Sequence, residues 1–302
     1  MEHDNFEIVT GGTPNQICPI SGRRIKEPAI MHRDLSDFWS TKIADMRNDN
    51  LSNILIVDRD AREAYYKKIK DSGVVLALSG GLDSVTVLHW AATLFGEVHC
   101  LIFDYGQKHK IEIDYAVDCV RSFEKNENNC KVTSSIINMS PINDLASSAL
   151  TRPDKISVPS NQNINDMGKS IPVTFVPGRN IYFMTALAQV AYAKGFRHIA
   201  LGVNVLDYSG YPDCRPEFIV SMREALSIGI FNGIDLAVHA PLINLSKVQI
   251  IRLGLSLGVD YSKTHSCYNG IVSGCGTCDS CILRRKAFEL LGMTDPALGF
   301  EI

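Results

Sequence analysis

From residue 74 onward, short apolar runs alternate with segments of helical period, a pattern that specifies parallel strands joined by crossover helices. The run Val74 to Leu78 predicts a buried strand, Val85 to Phe95 a helix, and Val98 to Phe103 the next strand. Together these make one βαβ unit. Further strands are expected at Thr133 to Asn138, His198 to Val203 and Leu236 to His239. Helices are expected near Glu112 to Phe123, Asn180 to Lys194, Pro216 to Ser227 and Ser246 to Leu257. Ser140 to Val176 carries Pro141, Pro153, Pro159 and Pro172 with no sustained period, and reads as a long loop of the kind that forms lids or binding segments. Residues 1–73 differ, with one strand expected at Asn53 to Val57 and a charged helix at Asp60 to Lys70, and are read as an N-terminal extension of unknown role. Residues 74–302 then form the α/β unit.

Composition changes this picture little. Of 302 residues, 45% are hydrophobic and 21% charged, as in an ordinary folded protein. Thirty Lys and Arg against 33 Asp and Glu give a net charge of −3, so no bulk basic field is available to hold a phosphate backbone, and direct nucleic-acid binding is not expected. No apolar run reaches the ~18 residues of a membrane span, and the Met1-Glu2-His3-Asp4 start lacks a leader pattern, so a cytoplasmic location is expected.

The nine cysteines are distributed unevenly. Five are scattered, whereas Cys267, Cys275, Cys278 and Cys281 crowd into one short segment. Four thiolates are the number a closed structural zinc site requires, and soft sulfur ligands favour Zn²⁺ or an iron–sulfur cluster over hard cations. Gly274 and Gly276 let the backbone wrap. Zinc with a folding role is the reading taken for the 265–285 segment; a redox pair and unrelated buried thiols are the alternatives.

Ser79-Gly80-Gly81-Leu82-Asp83-Ser84 lies between a predicted strand and a predicted helix, where backbone N–H groups converge on the positive helix end and a phosphate can be cradled. Asp83 is placed to help hold Mg²⁺. There is no Lys before Ser84, so this is not the common nucleotide loop of kinases, and no G-x-G-x-x-G follows a strand. The competing reading is a plain strand-to-helix turn.

Asp104-Tyr105-Gly106-Gln107 follows the second strand, and Gly202-Val203-Asn204 ends a later one. Open parallel sheets bind ligands beyond the carboxyl ends of their strands, so both segments are expected to face the phosphate loop. Asp207, Tyr208, Tyr211, Asp213 and Arg215 mix carboxylates with aromatic rings, a combination that suits a flat, guanine-like heterocycle. A capped, turn-rich loop is the plainer alternative. Gly178, Arg179 and Asn180 open a helix, where Arg179 could clamp a phosphate or carboxylate, and Lys247 begins another, where it could neutralise departing pyrophosphate. For both, a solvated surface cation is the competing reading. His109 and His265, taken singly, read as structural.

The motifs SGGLDS, DYGQKH, LTRP, TFVPGRN, GVNVLDYSGYPDCRPEF, the PL-x3-SK step and SCYNGIVSGCGTCDSCILR occur in one order from about Val74 to Leu298. In that order and spacing they resemble the 7-cyano-7-deazaguanine synthase (QueC) family of N-type ATP pyrophosphatases. The resemblance implies a Rossmann-like, phosphate-loop parallel sheet and a structural Zn²⁺ on Cys267, Cys275, Cys278 and Cys281. It implies ATP and Mg²⁺ handled by Leu78 to Ser84, Asp104 to Gln107, Gly178 and Gly202, with Asp83, Arg179 and Lys247 in the chemistry. Arg179, Asn180, Asn204, Asp207, Tyr208, Tyr211, Asp213 and Arg215 would hold the substrate. The implied reaction adenylates the carboxylate of 7-carboxy-7-deazaguanine and converts it with ammonia to the amide and then the nitrile, in a homodimer. The family's usual members begin near the first strand, whereas about 73 residues precede it here. That extension suggests an alternative in which the activated deazaguanine is coupled to another amine, such as one on a protein, as in phage defence; an oligomerisation arm or a covering element for one sheet edge is the plainer reading of the same residues. A tRNA-modifying pyrophosphatase and a non-enzymatic zinc-ribbon module are the remaining alternatives.

Overall fold

A computed structural model describes residues 71–124, 130–140, 147–164, 167, 170–205 and 210–298, together with two short strands nearer the N-terminus. Those strands, β1 (Phe6–Ile8) and β2 (Ile30–His32), pair antiparallel and were not foreseen by the sequence pattern. The strand expected at Asn53 to Val57 and the helix at Asp60 to Lys70 lie outside the described residues, as do Asp207 and Tyr208.

The main body is a five-stranded parallel sheet in the order β5-β4-β3-β6-β7, comprising β3 (Gly73–Ala77), β4 (Glu97–Asp104), β5 (Lys131–Asn138), β6 (His198–Ala200) and β7 (Ala237–His239). Six helices accompany it: α1 (Leu82–Leu94), α2 (Ile111–Glu124), α3 (Arg179–Ala193), α4 (Pro216–Gly229), α5 (Lys247–Ser256) and α6 (Asp279–Leu290). Alternate residues of the central strand feed two separate cores. Val74 and Leu76 pack with α1, α2, α5 and α6 on one face. Val75 packs with Met184 and Leu187 of α3 and Ile219 of α4 on the other. A sheet covered on both faces needs strands apolar throughout, which is why β3 reads as one unbroken hydrophobic run.

The chain runs outward from β3 through β4 to β5, then returns to the opposite side of β3 for β6 and β7. The direction of winding therefore reverses between β3 and β6, and the loops after those two strands diverge to leave a crevice at their carboxyl ends. Among the described residues of 140–176 there is no strand and no α-helix, only turns, bends and two isolated 3-10 residues, Ser140 and Ile164, in agreement with the expected long loop. Helix α6 is an addition to the sequence reading. Cys278 is its N-cap and Cys281 lies in its first turn, so the cysteine motif is half loop and half helix.

Candidate active site

The crevice is a cavity of about 470 Å³. Its floor is the phosphate loop. Leu78 still belongs to the strand ladder, donating its N–H to Leu101 O at 2.9 Å, after which the chain turns sharply. Gly80 has φ +74°, and a Cβ there would stand 2.5 Å from Glu112 O and 2.7 Å from Ala116 N, so only glycine lets the loop lie against α2. Ser79 and Ser84 brace the turn through a 3.0 Å hydroxyl contact, and Ser79 N–H donates to Ser84 Oγ at 3.1 Å. Gly81 caps α1 without a side-chain hydrogen bond, so the first-turn N–H groups of Leu82, Asp83 and Ser84 are not occupied by a capping side chain. This is the arrangement that receives an anion.

Gly202, just beyond β6, closes the crevice from the other strand. A Cβ on it would lie 3.1 Å from Ser84 N and 3.2 Å from Asp83 C, so the loop after β6 rests directly on the first turn of α1. Lys247, the first residue of α5, reaches across and donates to both Asp83 oxygens at 2.8 Å. Ser246 fixes that helix start with a reciprocal capping box to Gln249. Of the three groups expected to act together, Asp83 and Lys247 form a contacting pair, while Arg179 packs on Tyr105 and Phe183.

Arg179 follows Gly178, whose φ of +78° sets the start of α3. Its guanidinium lies 5.6 Å from the Tyr105 ring centroid and 5.8 Å from that of Phe183, and donates to Tyr105 Oη at 3.4 Å. Phe183 stacks on Phe103 at 4.0 Å. Tyr211 Oη meets Thr174 Oγ1 at 2.7 Å. Asn180 donates to Asp213 O at 3.1 Å, and Asn204 donates to the carbonyls of Leu242 and Leu245.

Leu78, Ser79, Gly81, Leu82, Asp83, Ser84, Tyr105, Arg179, Asn180, Gly202, Asn204, Tyr211 and Lys247 all line the cavity. Gly80, Asp104, Gly106, Gln107, Gly178, Asp213 and Arg215 do not. For most of these the local structure shows another task. Asp104 caps the turn at Gly106 N and pairs with Lys110, each at 3.0 Å. Buried Gln107 accepts from Tyr105 N and donates to Phe103 O and Glu112 Oε1. Arg215 is exposed and precedes α4.

Few buried side-chain polar atoms among the described residues lack a hydrogen-bond partner, and most cluster here: His109 Nδ1, Arg179 Nε and Asp279 Oδ1 belong to cavity-lining residues, and Asp213 Oδ2 to the segment between Tyr211 and Cys214, which both line it. Burial pushes both carboxyls up, that of Asp213 against the pull of Arg179. Unpaired buried polar atoms cost free energy unless a ligand pairs them, so their concentration marks a binding wall. Asp279, Glu112, Ser266 and Tyr268 were not singled out from the sequence. Asp279 was hidden because the cysteines flanking it drew the metal reading.

The four cysteine sulfurs lie within 4.8 Å of one another, close enough to surround a single ion. Cys275 Sγ accepts from Cys278 N at 3.3 Å and from Asn269 Nδ2 and Thr277 Oγ1 at 3.5 Å, donors that suit a thiolate ligand. Hydrogen bonds from Cys278 and Cys281 hold Cys267 far below the ordinary thiol range, and push those two donors up. The residues fit a four-coordinate soft metal such as zinc. The site is also tied to the phosphate loop: buried Arg284 of α6 forms a bidentate pair with Asp295 at 2.7 and 3.0 Å and donates to Thr264, while His265 N–H donates to Gly80 O at 2.9 Å.

A parallel sheet with an uncapped, serine-braced glycine loop at its switch point defines a phosphate-loop α/β protein of the nucleotide-handling class. The family model for "Queuosine biosynthesis protein QueC" matches residues 73–292, and the chain belongs to that family. It is 43% identical over 229 residues to the 7-cyano-7-deazaguanine synthase of Solidesulfovibrio magneticus, covering 74% of this chain and 93% of that relative. To the enzyme of the same name from Thermoplasma acidophilum it is 44% identical over 224 residues, covering 74% and 90% respectively. Among solved structures, the NMN synthetase of Francisella tularensis aligns with a TM-score of 0.41 at 16% identity, covering 78% of this chain and 89% of that one. Among the described residues no helix is long and apolar enough to cross a membrane.

Proposed function

We propose that residues 74–302 form an ATP-dependent ligase that adenylates the carboxylate of 7-carboxy-7-deazaguanine and lets ammonia displace AMP, giving first the amide and then, after a second activation, the nitrile. The observation that carries this reading is the make-up of one cavity: an open anion cradle together with unpaired polar atoms of Arg179 and Asp279 among its lining residues. A carboxylate is a poor electrophile until its oxygen bears a good leaving group. In the first step a substrate carboxylate oxygen attacks the α-phosphorus of ATP, the bond to the β-phosphate breaks, and pyrophosphate departs. The first-turn amides of α1 and the Lys247 ammonium balance that charge, and Arg179 in the same cavity orients the anionic substrate. Asp83 would hold Mg²⁺, which when bound neutralises phosphate oxygens; one carboxylate beside a nucleotide's own oxygens is a donor set that magnesium accepts. Tyr105, Phe183 and Tyr211 supply flat surfaces for a heterocycle, and Asp279 supplies an acceptor for its N–H edge.

A second reading concerns the acceptor. The family match starts at residue 73, and the relatives above are covered almost completely by three quarters of this chain. In this second reading the additional N-terminal segment recruits another amine, one on a protein included, in place of ammonia. Incubation with carboxy-deazaguanine, ATP, Mg²⁺ and ammonium tests the main reading: AMP and the amide or nitrile mass are expected, and AMP at background sinks it. An adduct on a protein amine would select the second reading.

A further inference from the structure

We propose that His109, oriented by Glu112, is the base that receives the proton of the incoming amine, an inference that rests on the adenylating reading above. The partner of His109 stands three residues on, at the start of α2. His109 Nε2 lies 3.3 Å from Glu112 Oε2. The other Glu112 oxygen accepts from Gln107 Nε2 at 2.9 Å, and Gln107 is itself fixed by Tyr105 N–H at 2.9 Å and Phe103 O at 3.0 Å. The carboxylate is therefore held in place, and it sets the tautomer of the imidazole. With Nε2–H donated to Glu112, the lone pair resides on Nδ1. That nitrogen is buried and has no protein partner, while His109 and Glu112 both line the cavity.

The dyad also stands beside the phosphate loop. The first turn of α2 touches that loop so closely that a Cβ on Gly80 would come within 2.5 Å of Glu112 O. His109 and Glu112 share the cavity lining with Ser79, Gly81 and Asp83 of that loop. In the step assigned to His109, the amine nitrogen attacks the carbonyl carbon of the acyl adenylate and the C–N bond forms. The nitrogen gives a proton to His109 Nδ1, and the C–O bond to AMP breaks with the bonding pair leaving on the phosphate. Glu112 stabilises the imidazolium, which then returns its proton to water. Removal of that proton commits the adduct forward, because an amine still carrying it is expelled more readily than AMP.

The test separates the two half-reactions. Wild-type protein is first assayed for exchange of labelled pyrophosphate into ATP dependent on carboxy-deazaguanine; its absence overturns the adenylating reading and this inference with it. In His109→Gln, exchange is expected to persist within about threefold, while amide formation from ammonium falls by roughly 100-fold or more, the usual range for loss of a general base. Hydroxylamine, whose conjugate acid is far more acidic than ammonium, sheds its proton to water, so the deficit should narrow to about tenfold or less with that nucleophile. Exchange in the wild type with amide formation at the wild-type rate in the variant overturns the inference alone. So do an equal deficit for both nucleophiles and a parallel loss of exchange, each of which marks a structural role.

Discussion

Gly202→Ala tests whether the loop after β6 sets the position of the phosphate loop. The added Cβ would meet Ser84 N at 3.1 Å and both Asp83 C and Ser84 Cα at 3.2 Å. All three are backbone atoms of the first turn of α1, so none can rotate away, and ordinary contact near 3.4 Å requires a shift of about 0.3 Å. Overpacking of this kind costs roughly 1–3 kcal/mol. Because Gly202 is not among the glycines of positive φ, alanine also restricts the unfolded chain, which returns about 0.4–1 kcal/mol. The net is roughly 0–2.6 kcal/mol, and its middle value of about 1.3 kcal/mol corresponds to a melting temperature lower by about 3–5 °C for a domain of this size. Activity should suffer as well, since the displaced amides are those proposed to receive phosphate. If a 1 Å misplacement costs about 100-fold, 0.3 Å scales to about fourfold in pyrophosphate exchange. Gly229→Ala is the control: it ends α4, its Cβ would meet nothing within 4 Å, and it should be neutral or slightly stabilising. Melting curves and exchange rates indistinguishable between the two variants would refute the claim that these loops press on one another.

The Lys247–Asp83 pair keeps side-chain exposures of 17% and 28%, so Lys247→Met should change stability by no more than about 1 kcal/mol. AMP formation should fall by about 100- to 1,000-fold in that variant, and near-normal turnover would remove Lys247 from the chemistry. Asp83→Asn should likewise keep the fold, as judged by its denaturation midpoint, and lose adenylation; wild-type AMP release would exclude the assigned role. Cys278→Ser, or chelation of the wild type, should lower bound zinc and melting temperature together, and metal analysis showing full zinc with unchanged melting would assign the cluster another role. Burial holds the imidazoles of His89 and His99 below their ordinary 6.5, with Lys194 adding to the effect at His99. The unfolded chain therefore takes up protons near pH 6.5 before the native state does, and this stability is present above that pH and lost as pH falls through the lowered native values. Urea midpoints should drop between pH 7.5 and 5.5, less steeply in His89→Gln; an identical slope in that variant would show that His89 does not contribute.

The sequence by itself determined the layout of the sheet's elements, because a strand buried on both faces must be apolar throughout and a crossover helix must show its 3.6-residue period. Val74 to Leu78, the helix after Asp83 and the cysteine quartet were legible for that reason. Helix α6 was not, since Cys278 and Cys281 are both ligand candidates and helix start, and the metal spacing masked the period. Side-chain partnership was also beyond local pattern. Asp83 and Lys247 are 164 residues apart, and only the reversal of winding between β3 and β6 brings the ends of β3 and α5 together. The polar residues after β4 show the converse: Asp104 and Gln107 have the chemistry of ligands, yet the turn they build uses their hydrogen-bonding groups. His109, Glu112 and Gln107 lie within six residues, so their hydrogen-bonded turn is local; tertiary structure decided only that this turn packs on the phosphate loop and lines the same cavity. Residue types and spacing state which groups are available for chemistry, whereas the packing of loops across the sheet decides which of them remain unpaired and face one cavity.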